Sequence, residues 1–257
     1  MSVSTVIDVE HLVAQYGPRV ILNDISFTVQ QGEILVVLGA SGSGKSTLLK
    51  HMVGLLQPSA GAIRYWGRDL LTMEEDERAA LLKHVGIAFQ SGGLFNSLTV
   101  AENIALPLVE HGEFDAETIQ ALVRMKLSLV GLADAGHVLP GELSGGMKKR
   151  AGVARALALD PAIVFFDEPS AGLDPITAAG LDQMILALRQ LLGLTLVVIT
   201  HELTSIHTVA DRALMLDKGK IIFLDTLEAV SESPHPRVRQ FFQRQADCMA
   251  SPTSPAS

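Results

Sequence analysis

Residues 39–46 read Gly-Ala-Ser-Gly-Ser-Gly-Lys-Ser, a loop in which glycine recurs just ahead of a lysine and a hydroxyl. Glycine lets consecutive backbone N–H groups turn to one side and form a nest for an anion. The spacing Gly-x-x-x-x-Gly-Lys-Ser/Thr is that of a phosphate-binding loop, whose lysine reaches the β- and γ-phosphates of a nucleotide and whose hydroxyl holds Mg²⁺. Gly39, Ala40, Ser41, Gly42, Ser43, Gly44, Lys45, Ser46 and Thr47 are the candidate nucleotide contacts, and Ser46 is also a candidate metal ligand. A flexible Gly/Ser loop would match this pattern by chance on the order of once in a hundred chains of this length.

A phosphate loop by itself hydrolyses nothing. The reaction also needs a metal ligand, a base and a contact to the γ-phosphate. Ile163-Val164-Phe165-Phe166-Asp167-Glu168 places two carboxylates at the C-terminal end of an apolar run, where open parallel sheets bind their ligands. Asp167 is expected to hold Mg²⁺ through water, and Glu168 to polarise the attacking water. Leu143-Ser144-Gly145-Gly146-Met147 opens a long helical pattern. Ser144, Gly145 and Gly146 thus form a second candidate anion site at a helix N-terminus, although an ordinary serine cap with loop glycines accounts for the same residues. The run Lys148–Arg150 behind them reads as a solvated helix face.

These groups need elements to position them. Ile34–Leu38, ahead of the loop, is a short apolar run expected to be a strand buried on both faces. Ser46–Leu56 reads as the helix whose N-terminal dipole faces the phosphates. Residues 6–38 read as short strands, with Ile25, Phe27 and Val29 alternating against Ser26, Thr28 and Gln30. A helix is expected over 72–84, with Thr72 and Glu75 as a capping box. Residues 91–160 are helical in pattern: Thr99 and Glu102 form a second box, Pro107 is expected to kink or end its helix, and Asp115 is placed as a cap. Strands return at Ile163–Phe166 and Leu194–Thr200, and Ala213–Leu216 with Ile221–Leu224 reads as a hairpin. A helical insert therefore interrupts an α/β core.

Of 257 residues, 48 % are hydrophobic, enough for a sizeable core. No run reaches the roughly 20 apolar residues of a membrane span; the best, Met184–Thr200, is broken by Arg189, Gln190 and Gly193. The N-terminus lacks the basic start and apolar stretch of a secretory signal, so a cytoplasmic location is expected. The single cysteine, Cys248, forbids an internal disulfide. A net charge of −8 argues against nucleic acid as a partner.

Taken together and in order, Gly39–Ser46, Gln90, Leu143–Met147, Ile163–Glu168 and His201 resemble the ATPase domain of ABC transporters across about residues 6–230. The resemblance implies a P-loop NTPase core of RecA-like, mostly parallel sheet, an antiparallel β subdomain and a helical subdomain inserted at about 91–160. It implies ATP and Mg²⁺ as ligands and a second copy of the chain as partner, with Ser144, Gly145 and Gly146 reaching the partner's γ-phosphate. Gln90 resembles the glutamine that touches Mg²⁺ and the attacking water, and His201 the histidine that contacts the γ-phosphate. Ala171–Asp174 resembles the loop joining the two sites across the dimer. Tyr16 lies where the family stacks an aromatic ring on adenine, unless it simply packs the turn before Gly17-Pro18.

Met147 where glutamine is usual, Glu202 where aspartate is common, the stretch Gln90–Leu108 and Pro236–Phe241 are similar to the ATPase subunits of Mce-type phospholipid transporters, the Mla system. This implies transmembrane permease subunits, a small STAS-domain protein, a periplasmic Mce-domain lipid carrier and a place on the cytoplasmic face of the inner membrane. An importer of a polar solute uses the same engine. A soluble ATPase acting on ribosomes or DNA would be expected to carry two such domains or a long coiled coil. Leu94, Phe95 and Leu98 are candidate permease contacts, or else cap the insert's own core. Residues 231–257 form an extension: Val238, Phe241, Phe242, Ala246 and Met249 make one apolar stripe, docking on its own chain or on the partner, ahead of a disordered Ser251–Ser257.

Overall fold

The alternation of residues 6–30 becomes a long hairpin in a computed structural model that describes residues 4–111 and 114–243. Strand β1 (Thr5–Tyr16) pairs antiparallel with β2 (Arg19–Gln30), and Ile25, Phe27 and Val29 are buried as the period-two pattern requires. The core strand β3 (Ile34–Leu38) follows. Strand β4 (Ala60–Tyr65) covers the other edge of β1, and β5 (Arg68–Asp69) completes a four-stranded antiparallel sheet. Nothing in the sequence pattern marks β4. Gly61 makes it possible, because a Cβ there would lie 2.6 Å from the carbonyl oxygens of Glu10 and His11.

The second sheet has six strands in the order β10-β9-β3-β8-β7-β6. Its members are β6 (Val85–Ala88), β7 (Ile163–Asp167), β8 (Thr195–Ile199), β9 (Arg212–Asp217) and β10 (Lys220–Thr226) with β3. All run parallel except β10, which returns antiparallel beside β9 as the expected hairpin. The apolar runs are buried on both faces. Val36, Val164, Phe166, Leu196 and Val198 face a core shared with the helices. Their neighbours Leu35, Val37, Phe165, Val197 and Ile199 face a core shared with the antiparallel sheet.

The helices are α1 (Lys45–Met52), α2 (Glu75–Leu82), α3 (Val100–His111), α4 (Ala116–Leu129), α5 (Gly145–Ala156), α6 (Pro175–Leu192), α7 (Leu203–Val209) and α8 (Pro236–Phe242). The capping box of α3 forms as its sequence prescribes: Glu102 N donates to Thr99 Oγ1 at 3.2 Å and Thr99 N to Glu102 Oε2 at 2.7 Å. Asp115 caps α4 by accepting from Thr118 N at 2.7 Å. One expectation fails. The box at Thr72 and Glu75 does not form; α2 starts one turn later behind Glu74, and Thr72 Oγ1 donates instead to Asp69 O. Of the two outcomes expected at Pro107, ending the helix is excluded: α3 runs on to His111 around buried Ile104 and Leu108, so tertiary burial outweighs the lost N–H. Helix α8 docks on its own chain: Val238 is fully buried, and Phe242 meets His207 of α7 edge-on at 5.8 Å. Ala246, Met249 and Ser251–Ser257 lie outside the described residues. Among the described residues no helix is long and apolar enough to cross a membrane.

Candidate nucleotide site

Parallel register puts the expected groups side by side. Val37 pairs with Ile199, Ile199 with Asp167, and Phe166 with Ala88. The chain segments leaving β3, β8, β7 and β6 therefore emerge as neighbours about 4.8 Å apart. They are the loop 39–46, His201, the pair Asp167–Glu168, and Gln90.

The loop folds tightly because its glycines permit it. Gly39 has φ 146, and a Cβ on it would lie 2.2 Å from Leu216 O in β9. Gly44 has φ 112, and a Cβ there would meet Leu22 of β2 at 2.6 Å. Helix α1 starts behind Gly44 with no side-chain cap, so its first amides are left open. Lys45 Nζ lies across the loop and donates to Gly39 O at 2.7 Å and Ala40 O at 3.1 Å. Burial pushes its pKa down, and Glu168 and Asp167 pull it back up. Leu22 also ties the β1–β2 hairpin to the loop, and Tyr16 stands half exposed near that hairpin's tip.

Asp167 closes β7. Burial first, then the adjacent Glu168, raises its pKa; Lys149 and Lys45 oppose both. Glu168 adopts φ 48, in the left-handed region unusual for a residue with a side chain. Its N–H donates to Ile199 O at 2.8 Å, and its Oε1 lies 2.8 Å from His201 Nδ1. Glu168 Oε2 and Ser43 Oγ are buried without a hydrogen-bond partner in the protein. Such orphans destabilise by about 1–3 kcal/mol each unless a ligand or water satisfies them. With the glycine cradle and the open amides of α1, they fit a nucleotide and its metal. Gln90 sits exposed at the same sheet edge and makes no hydrogen bond to either carboxylate among the described residues.

The second glycine-rich helix start stands apart. Ser144 is exposed and caps α5, its Oγ accepting from Met147 N at 3.2 Å. Among the described residues no hydrogen bond joins it to the loop 39–46 of its own chain. Asp174 caps α6, accepting from Ile176 N and Thr177 N at 3.1 and 3.0 Å. The exposed Phe95 lies under the Arg155 guanidinium of α5 at 4.9 Å, while Leu94 packs into the helical core. Of the three residues proposed for permease contact, Leu94 is thus claimed by its own chain.

One site residue escaped the sequence reading. Lys149 is not on a solvated face; it is buried, and its Nζ donates to Glu168 O at 2.8 Å. A signal was available: Lys149 lies three and four residues before Gly152 and Val153, on the buried stripe of α5. The compact charge run Lys-Lys-Arg hid that helical phase.

Two stacked sheets with helices, a glycine loop opening α1 and paired carboxylates at the strand ends define a nucleotide-hydrolysing cassette. The sequence pattern of the ABC transporter family matches residues 22–171, and the chain belongs to that family. It is 40 % identical over 246 residues to the intermembrane phospholipid transport system ATP-binding protein MlaF of Escherichia coli strain K12, covering 96 % of this chain and 91 % of that one. It is also 40 % identical over 235 residues to the probable ribonucleotide transport ATP-binding protein mkl of Mycobacterium tuberculosis strain H37Rv, covering 91 % of this chain but 66 % of that one. Among solved structures it resembles cbiO1 from Clostridium perfringens, part of the ABC transporter complex cbiONQ, with TM-score 0.82 and 26 % identity over 93 % and 96 % of the two chains. It likewise resembles the dimeric post-hydrolysis cassette MJ0796 bound to ADP and Pi, with TM-score 0.78 and 28 % identity over 86 % and 98 %. The protein is an ABC transporter ATPase.

Proposed function

We propose that this ATPase drives a transporter moving phospholipids between the membranes of a Gram-negative bacterium, maintaining the lipid asymmetry of the outer membrane. The observation that carries this is its end-to-end similarity to the phospholipid-system subunit, whose whole length it nearly spans. The equal identity to the ribonucleotide-named relative favours a second reading, an importer of a polar solute.

The loop amides and Lys45 hold the β- and γ-phosphates, and Tyr16 stacks on adenine. Ser46, Gln90 and Asp167 would hold Mg²⁺, which when bound neutralises charge on the transferred phosphoryl group. Glu168 takes a proton from the water that attacks the γ-phosphorus, and ADP leaves with the broken P–O bond. His201 holds the Glu168 carboxylate and contacts the γ-phosphate. Two copies sandwich two ATP molecules, with Ser144, Gly145 and Gly146 completing the partner's site and Ala171–Asp174 joining the two. In this reading residues 6–230 form the ATPase domain and about 91–160 its helical arm, with 231–257 as an extension. Permease subunits dock beside Phe95 at the cytoplasmic face of the inner membrane. A STAS-domain protein and a periplasmic Mce-domain carrier complete the assembly.

Purification of the complex from its own membranes tests the substrate. Co-purification with a carrier protein that holds phospholipid, and hydrolysis that depends on that carrier, is the expected result. Assembly with a permease whose polar solute stimulates hydrolysis would replace this reading with the second.

A further inference from the structure

Glu168 presents a mechanical problem. Its left-handed φ of 48 is strained for any residue carrying a Cβ. Such a conformation persists only when its surroundings overdetermine it. Three hydrogen bonds hold its main chain. Glu168 N donates to Ile199 O at 2.8 Å; Glu168 O accepts from Ala171 N at 3.3 Å and from Lys149 Nζ at 2.8 Å. The last is charge-assisted and therefore the strongest of the set. It is also the only one of the three that comes from the helical arm. Lys149 is buried to 9 % exposure, so desolvation strengthens the contact and a lost partner would be costly.

We propose that Lys149 is a positioning residue for the proposed base: its ammonium holds the Glu168 main chain in the left-handed conformation that aims the carboxylate at the attacking water. Lys149 contacts neither phosphate nor water in this role; it acts through Glu168. Burial lowers the Lys149 pKa, and the nearby Glu168 and Asp167 carboxylates oppose that shift. Ser144 opens the same helix, α5, so a displacement of that helix N-terminus reaches Glu168 directly through Lys149. Helix α5 is also fastened to the segment after Gln90. A Cβ on Gly152 would lie 2.5 Å from Gly92 O, and Arg155 Nη1 donates to Gly93 O. The proposed partner-facing Ser144 and the segment after Gln90 are thus both joined to α5, and Lys149 links that helix to the base at the end of β7.

The inference rests on Glu168 being the base, and the experiment separates the two. In the assembled complex, Lys149→Met fills the same space without the donor. The expected result is a fall in kcat of about 10- to 100-fold, the effect of displacing a catalytic group by about an ångström, with the KM for ATP unchanged. A packing role alone predicts kcat within about two-fold of wild type, and that result overturns the proposal. If Lys149→Met fails to assemble, Lys149→Arg keeps a charged donor. Lys149→Arg that binds ATP with wild-type affinity and keeps a clearly higher kcat than the neutral Lys149→Gln supports the proposal, and equal kcat in the two variants overturns it. A double-mutant cycle is the sharper readout. In a Glu168→Gln background, Lys149→Met should lower the residual rate no further; an additive loss overturns the proposal. Wild-type turnover by Glu168→Gln sinks both the base assignment and this inference. A dead Glu168→Gln beside a fully active Lys149→Met sinks only the inference.

Discussion

The chain has two glycine-rich helix starts, and they solve opposite problems. At α1 the glycines are conformational: Gly39, Gly42 and Gly44 all adopt positive φ, and the helix has no side-chain cap. The amides stay open and a lysine and two carboxylates face the loop. At α5 neither Gly145 nor Gly146 adopts a positive φ, and Ser144 caps the helix with its own hydroxyl. There the glycines serve closeness. A Cβ on Gly146 would lie 2.5 Å from Thr177, and Gly145 leaves the exposed corner bare. The first start gathers its candidate phosphate ligands, the loop amides and Lys45, within one chain. The second is exposed and holds no such set; in the function proposed above it is half a site that a second copy completes. Composition is similar; backbone conformation and surroundings make them different devices.

The largest effects should fall on the first. Lys45→Ala removes the main cationic partner of the phosphates, and nucleotide binding should fall by more than about 100-fold. Near-normal hydrolysis by that variant would remove the distinction between the two starts. Glu168→Gln should act differently, lowering kcat by about 10²- to 10⁴-fold while ATP stays bound. A trapped nucleotide dimer, seen by size-exclusion chromatography with retained ATP, is the measurement.

The half-site reading is sharpened by mixing. Chains carrying Ser144→Arg and chains carrying Lys45→Ala should each be inactive alone. Together they place both lesions in one composite site and leave the other intact, so part of the activity should return. Heterodimers that form without regaining hydrolysis would show that Ser144 serves no partner.

The glycines themselves give a smaller contrast. Gly39→Ala should lower stability by about 1–3 kcal/mol through backbone strain and weaken ATP binding with it. Gly145→Ala, whose Cβ meets only Leu173 at 3.5 Å, should leave the unfolding temperature unchanged. Equal losses would mean that the two loops share one constraint after all. Smallest in its effect on hydrolysis, Val238→Ala in α8 should cost about 1–2 kcal/mol of burial with hydrolysis intact, because Val238 packs into its own chain's helical core and touches neither start. A lost complex with unchanged melting would assign α8 to assembly instead.

The chemistry was legible because it depends on local order. A phosphate nest needs glycine at fixed spacing, and a buried parallel strand must be continuously apolar, so Gly39–Ser46 and Ile163–Glu168 announce themselves in one dimension. The caps at Thr99 and Asp115 were legible for the same reason: a hydroxyl or carboxylate reaches only its own next turn. The box at Thr72 failed because α2 begins at Glu75 behind Glu74, so the Glu75 amide never comes over the Thr72 hydroxyl, which donates to Asp69 O instead.

What the sequence by itself determined is the set of candidate reacting groups and the strands that carry them. The tertiary structure alone decided their arrangement. Strand order is set by pairings between residues distant in the chain, Val37 with Ile199 and Asp167 with Ile199, and it brings His201 to within 2.8 Å of Glu168. Strand β4 exists because Gly61 fits under β1, a contact no local pattern encodes. Lys149 reads as one charge in a basic run until α5 is rotated onto the sheet and its ammonium meets the Glu168 carbonyl. A residue's neighbours along the chain dictate its conformation, but the field and the hydrogen bonds it feels come from neighbours in space.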